Sequence, residues 1–230
     1  MKKSLVALAS LAVLSLSAHA DGLTGNLSLT SKYKYRGQDQ SDTDTYALPA
    51  VQGGFDYTAG SFYVGNWNSA VGFAHGTEMD FYGGMRGEVA NMAYDVGILT
   101  YFYPGTNASA LNTTEIYGSL TFGLFTAKYS HTVSDEYFGV PEASNTGYLD
   151  LSANYEFAKG WTANAHLGYT NFSGGAKDAG AANYVDYKIG ATYDYGSGLS
   201  VAAAYIGADK DDKWGPVNKD RLILTLTKTF

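Results

Sequence analysis

The chain has 230 residues, with 15 Lys and Arg against 22 Asp and Glu, a net charge of −7, and no cysteine. The acidic balance argues against nucleic acid as a partner, and the lack of cysteine removes disulfides, thiol nucleophiles and thiolate metal sites. With 28 Gly, 20 Tyr and 4 Pro, the composition favours many short strands joined by tight turns.

At the start of the chain, Met1-Lys2-Lys3, an apolar run from Leu5 to Leu16 and Ala18-His19-Ala20 form the basic region, core and cleavage site of a secretion signal over residues 1–20. The apolar run is too short to cross a bilayer as a helix, so the mature chain is expected to begin at Asp21. Loss of Lys2 and Lys3 leaves 13 of the 15 basic residues and moves the net charge from −7 to −9. No helical stripe of useful length follows.

Period-two patterning and turn residues predict twelve strands, at 24–35, 47–57, 61–69, 77–87, 92–103, 114–122, 124–132, 146–157, 161–171, 184–195, 199–206 and 219–230. Long polar connections (Arg36 to Tyr46, Ala70 to Gly76, Pro104 to Thr113, Val133 to Asn145, Phe172 to Asn183, Gly207 to Asn218) alternate with short turns. That is the asymmetry of an outer-membrane barrel, with short turns on the periplasmic side and long loops outside. Pro49 and repeated Gly and Asn blur the second and third strands, leaving ten and fourteen strands as alternative counts.

Apolar and aromatic residues occupy one face of each clear strand. Examples are Leu27, Leu29, Tyr33 and Tyr35; Met79, Phe81 and Met85; Leu149, Leu151, Tyr155 and Phe157; and Trp161 to Tyr169 in alternation. The last strand puts Leu222, Leu224, Leu226 and Phe230 outward, where they serve as the barrel-closing segment and the signal read by the barrel-assembly machinery. Lys228 departs from this face, and its long amine is expected to snorkel to the interface. About ten residues per strand at about 3.3 Å each, tilted near 40°, rise about 25 Å, matching the apolar band of such barrels. A soluble β-sandwich is the alternative; it would have to bury the same apolar face. The fold expected is therefore all-β: a transmembrane antiparallel up-and-down β-barrel of about twelve strands over residues 21–230, in the bacterial outer membrane.

Several segments, in order, resemble the TorF-family porins of Gram-negative bacteria. They are Tyr33-Lys34-Tyr35-Arg36-Gly37, Pro49 to Tyr57, Glu78-Met79-Asp80-Phe81-Tyr82-Gly83-Gly84, Tyr94-Asp95-Val96-Gly97, Tyr101 to Gly105 and Thr114-Glu115-Ile116-Tyr117-Gly118. The resemblance implies an outer-membrane barrel of porin type, with no catalytic residues and no substrate specified.

The opposite face of the strands carries the candidate lumen and selectivity residues: Lys32, Lys34, Arg36, Arg86, Lys128, Lys188 and Arg221 against Glu78, Asp80, Asp95, Glu115, Asp150 and Asp186, with Asp56, Glu88, Glu156 and Asp194 beside them. Interleaved charges of both signs predict a water-filled passage for small polar solutes; the alternative is that they pair across a narrow barrel and fill it. The acids Asp39, Asp42 and Asp44, and Asp209, Asp211 and Asp212, are expected on solvated loops, since neither run has the Gly and terminal Glu of an EF-hand loop. The Gly-rich segment from Ser173 to Asn183 is expected to be mobile. A phospholipase would need Ser and His on the lipid-facing surface. His131 lies there beside Ser130 and Ser134, but Ser130 points to the other face and no hydrolase motif surrounds them. His75 is the remaining loop histidine, and His166 sits on the polar face beside Asn164. Asn107 and Asn112 match the glycosylation sequon, which carries little weight in an exported bacterial chain. No cofactor and no metal are expected. Expected partners are outer-membrane lipid, lipopolysaccharide and small polar solutes. A non-conducting structural or adhesive barrel remains the alternative function, and oligomeric state is left open.

Overall fold

A computed structural model describes residues 21–41, 49–73, 76–105 and 109–230. Twelve antiparallel strands close on themselves: β1 (Gly22–Thr30), β4 (Ala50–Ala59), β5 (Phe62–Ala70), β6 (Thr77–Val89), β7 (Met92–Phe102), β8 (Thr113–Phe122), β9 (Phe125–Thr132), β10 (Gly147–Ala158), β11 (Trp161–Asn171), β12 (Tyr184–Gly196), β13 (Leu199–Ala208) and β14 (Arg221–Thr229). Two short strands, β2 (Lys34–Tyr35) and β3 (Gln38–Asp39), form a separate hairpin inside the barrel. Closure comes from β1, which pairs β4 on one side and β14 on the other, with Leu27 opposite Lys228 and Leu29 opposite Leu226. A closed sheet leaves no unpaired edge, which an open sheet of this size would expose.

Close packing of neighbouring strands sets one glycine requirement. A Cβ at Gly54 would press against the main chain of β5, 2.7 Å from Trp67 Cα. Two one-turn helices lie in the loops, α1 (Gly174–Asp178) and α2 (Asp211–Trp214). The first lies in the Gly-rich segment from Ser173 to Asn183. Ser173 caps α1, its hydroxyl accepting from Ala176 N, and Ala176 is buried with Phe172, Tyr184 and Tyr137.

The outer surface is apolar around its whole circumference. Leu23, Phe55, Ile98, Leu120, Leu167, Ile189 and Leu222 are among the large side chains left exposed. A monomeric soluble protein rarely exposes more than a few hundred Å² of contiguous apolar surface, so this belt is a face made for lipid. Aromatic rings crowd its turn end, with Phe62, Phe122, Phe125, Tyr155, Trp161 and Phe230 all exposed, where a girdle is expected. The closing strand follows the predicted pattern: Leu222, Leu224, Leu226 and Phe230 point outward. Lys228 Nζ donates to Ser197 O and lies 5.6 Å from the Phe230 ring centroid.

One boundary differs. Alternation runs unbroken through residue 35, yet β1 leaves the wall after Thr30. Tyr33 is buried and Tyr35 largely covered inside the barrel, so neither faces lipid as predicted.

Candidate functional site: the barrel interior

Residues 31–41 turn inward and occupy the loop-side half of the barrel. Strands β2 and β3 pair Lys34 with Asp39 and Tyr35 with Gln38, leaving Arg36-Gly37 as a two-residue turn. Both turn residues have positive φ, 46° at Arg36 and 75° at Gly37, the requirement of a tight turn that matches strand twist. Gly37 meets the wall directly, since a Cβ there would lie 2.6 Å from Asp186 Cβ and 2.7 Å from Gly207 O. The Lys34 amine donates to Gly37 O at 2.6 Å and Val217 O at 3.0 Å, tying the hairpin to itself and to the 209–220 loop.

Two ionic contacts hold the segment. The Arg36 guanidinium forks onto Glu115 of β8 through two bonds of 2.8 Å, donates to Tyr137 Oη at 2.7 Å, and lies 4.0 Å from the Tyr148 ring centroid. Arg36 and Glu115 side chains are only 6% and 2% exposed. Bidentate geometry and stacking on aromatic faces are what a guanidinium does well and an ammonium does not. Asp39 receives Lys32 at 3.1 Å, Lys34 at 3.2 Å and Arg221 of β14 at 3.5 Å. Asp39 is therefore a buried counter-ion, not the solvated loop acid expected. Lys32, Lys34 and Arg36 face the interior from this hairpin segment and not from a wall strand.

The other predicted lumen residues lie on the inner wall in separate groups. Glu78 accepts from Tyr33 Oη at 2.8 Å and from Tyr103 Oη. Asp80, next on the same face, is fully buried and neither carboxylate oxygen has a hydrogen-bond partner among the described residues. His166 bridges two carboxylates, Asp150 at 3.1 Å through Nδ1 and Asp186 at 2.7 Å through Nε2, with Tyr148 Oη 3.2 Å away. On the turn side, Asp95 accepts from Tyr63 at 2.5 Å, Asp56 from Tyr82 at 2.7 Å, and Arg86 donates to Thr58 at 2.9 Å. Lys128 Nζ lies 3.9 Å from the Tyr117 ring centroid, and Lys188 is opposite His166 in the β11–β12 register. Glu88 and Glu156 are exposed at the turn-side rim, and Asp194 accepts from Gly196 N at 2.7 Å.

Water access divides this interior in two. Inward residues of the loop-side half, including Glu78, Asp80, Tyr101, Glu115, Thr132, Thr170 and Asp186, are at most 2% exposed. Those of the turn-side half, among them Asp56, Arg86, Asp95, Lys128, Asp150, Asn154, Asn164 and Lys188, retain partial exposure. The turn-side half is thus the more exposed of the two, although Thr58, Tyr63, Thr126, Thr192 and Ser200 are buried there, and the loop-side half is sealed by the 31–41 hairpin. Tyr137 and Phe138 from the 133–146 loop complete the seal, Phe138 lying edge-on to Tyr101 with ring centroids 4.8 Å apart.

Sequence reasoning missed the inward tyrosines. Tyr63, Tyr82, Tyr101, Tyr103, Tyr117 and Tyr148 supply hydroxyls or rings to the charged groups, and their signal was the recurrence of Tyr in the inward register. Leu99 and Ile223 are buried apolar residues on the inward face.

The remaining candidates do not converge. Ser130 faces the interior, and Ser134 Oγ accepts from Thr114 N at 3.0 Å and donates to Glu136 O at 2.8 Å. His131 is paired instead with the Tyr129 ring, centroids 6.3 Å apart. Asp211 and Asp212 are exposed as expected. No three metal-ligating side chains gather at metal-binding spacing among the described residues. Residues 1–20, Asp42, Asp44, His75 and Asn107 lie outside the described residues.

The fold and its interior define a class: a closed twelve-stranded antiparallel β-barrel of porin type, apolar outside and charged within. Residues 16–230 match the family described as "Bacterial protein of unknown function (Gcw_chp)", and the chain belongs to that family. No curated protein matches the chain. Among solved structures, the KdgM porin in complex with disordered oligogalacturonate is 8% identical with a TM-score of 0.57, the match covering 90% of this chain and 98% of that one. The NanC porin in a rhombohedral crystal form is 9% identical with a TM-score of 0.56, covering 91% and 99%. At these identities the likeness is one of fold.

Proposed function

We propose that this protein is an outer-membrane porin: a passive channel for small hydrophilic solutes, entered from the periplasm through the turn-side half and gated on the outer side by the 31–41 hairpin. The observation that carries the reading is the unequal exposure of the two halves of the barrel interior. Arg86, Lys128, Lys188, Asp56, Asp95 and Asp150 keep partial exposure on the turn-side inner wall, whereas a purely structural barrel gains nothing from charges left short of full burial there. The other half is closed by the 31–41 hairpin with Tyr137 and Phe138; the hairpin is held by ion pairs and by ring contacts of Tyr33 and Tyr35, so it is released without breaking a strand pair of the wall. The ordered resemblance to TorF-family porins and the fold shared with the KdgM and NanC porins support the same reading. Residues 1–20 act as the cleaved export signal, and the outward face of β14 ending at Phe230 is what the assembly machinery reads.

The test is conductance. Protein purified from outer membranes, checked for heat-modifiable gel mobility, should give discrete steps in planar bilayers, longer-lived in Glu115→Gln. Silence from folded wild-type and Glu115→Gln protein alike would refute the channel and favour a non-conducting barrel.

A further inference from the structure

Among the described residues, Asp80 is the one carboxylate of the sealed half whose side-chain oxygens both lack a partner. It is 0% exposed. Of the hairpin's cations, Arg36 pairs with Glu115 and Lys34 with Asp39. Asn66 bonds only the Asp80 main-chain oxygen, at 3.0 Å. An isolated buried carboxylate costs several kcal/mol unless something compensates it.

Glu78 stands two residues away on the same face, its oxygens turned toward Tyr33 and Tyr103. In the strand registers Asp80 is flanked by Trp67 of β5 and Tyr101 of β7, both on the inward face. The Trp67 and Tyr33 rings meet edge to face with centroids 5.7 Å apart. The described surroundings are thus two carboxylates beside the rings of Trp67, Tyr33, Tyr101 and Tyr103. Such a setting attracts a small cation both by charge and by the negative faces of the rings.

We propose that Asp80, assisted by Glu78, is an internal cation-binding site beneath the hairpin. The absence of a third carboxylate or imidazole at ligand spacing among the described residues sets the ligand class: a hard cation that keeps part of its water, not a transition metal in a full protein cage. Resting on the channel reading, the same site makes the open pathway prefer cations.

Binding is read without flux. Terbium(III), a calcium surrogate, titrated into purified protein should show emission sensitised by Trp67 and Tyr101 and displaced by calcium. In Asp80→Asn the affinity should fall about 10- to 100-fold, the loss of a charge-assisted contact. Trp67→Phe should keep the calcium-dependent rise in unfolding temperature while dimming the emission, which guards against a folding defect in the first variant. In bilayers with a salt gradient, Asp80→Asn should move the reversal potential toward zero. Unchanged terbium emission in Asp80→Asn would overturn the site, as would a protonated-carboxyl infrared band that disappears in that variant. Loss of binding with a silent wild-type barrel would keep the site and refute only the channel and its cation preference.

Discussion

Glu115→Gln tests the hairpin as a gate. The substitution keeps shape but removes the charge that receives both Arg36 bonds, leaving a guanidinium only 6% exposed beside Tyr137 Oη and the Tyr148 ring. Removing one partner of a buried, bidentate pair costs about 3–5 kcal/mol, because the surviving ion stays buried without compensation. At about 1.4 kcal/mol per decade, the ratio of docked to undocked hairpin falls by roughly two to three and a half powers of ten. The partial compensation offered by Tyr137 and Tyr148 places the expected effect at the lower end. Hydrogen exchange reads this directly, since Ser31 N donates to Leu224 O and Gly72 N to Gln40 O, both at 2.8 Å, between the docked segment and its surroundings. Exchange across 31–41 should accelerate by about two decades in the variant, with β10 to β13 unchanged. Equal protection of 31–41 in wild-type and variant protein would refute the assignment of Arg36–Glu115 as the latch.

Gly54→Ala should prevent closure of the barrel: its methyl would sit against Asn66 O and 2.7 Å from Trp67 Cα, both main chain, and the heat-modifiable gel shift should be lost, whereas normal mobility would show that β4 and β5 can separate. Asp220, in the loop before β14, is held below the usual carboxylate range by hydrogen bonds from Tyr205 at 2.6 Å and Tyr187 at 2.7 Å. A depressed folded-state value means that its contribution is present above the unfolded carboxylate value and is lost as pH falls through the lower folded one. Protection of the 209–220 loop should therefore drop under acid conditions in the wild type and be low at every pH in Asp220→Asn; a loop equally protected by both proteins at neutral pH would contradict this.

Much of the architecture was readable from the chain because lipid imposes a strict rule. Most strands show apolar side chains at alternate positions, as Leu149, Leu151 and Tyr155 do, and every connection is either a tight turn or a loop. Strand number, the alternation of short and long connections and the outward face of β14 follow from that local period. Even Pro49, which blurred the second strand, falls just before β4 starts at Ala50.

The site was only partly readable. Its charges were visible as residues of the inward register, but their partners were not, because a period of two reports which side a residue faces and not what it meets there. Lys32, Lys34 and Arg36 continue the alternation of β1 and look like wall residues; nothing local distinguishes a strand that stays in the sheet from one that folds into the lumen. That choice depends on Glu115, 79 positions from Arg36, and on Arg221 meeting Asp39 across the closure between the two ends of the barrel. The amino-acid order by itself determined a lipid-facing, polar-cored barrel, since that pattern is enforced residue by residue along each strand. The tertiary structure alone decided that half of the core is sealed, that Asp39 is a buried counter-ion and that, among the described residues, Asp80 stands without one, because those depend on long-range pairings that exist only once the barrel has closed.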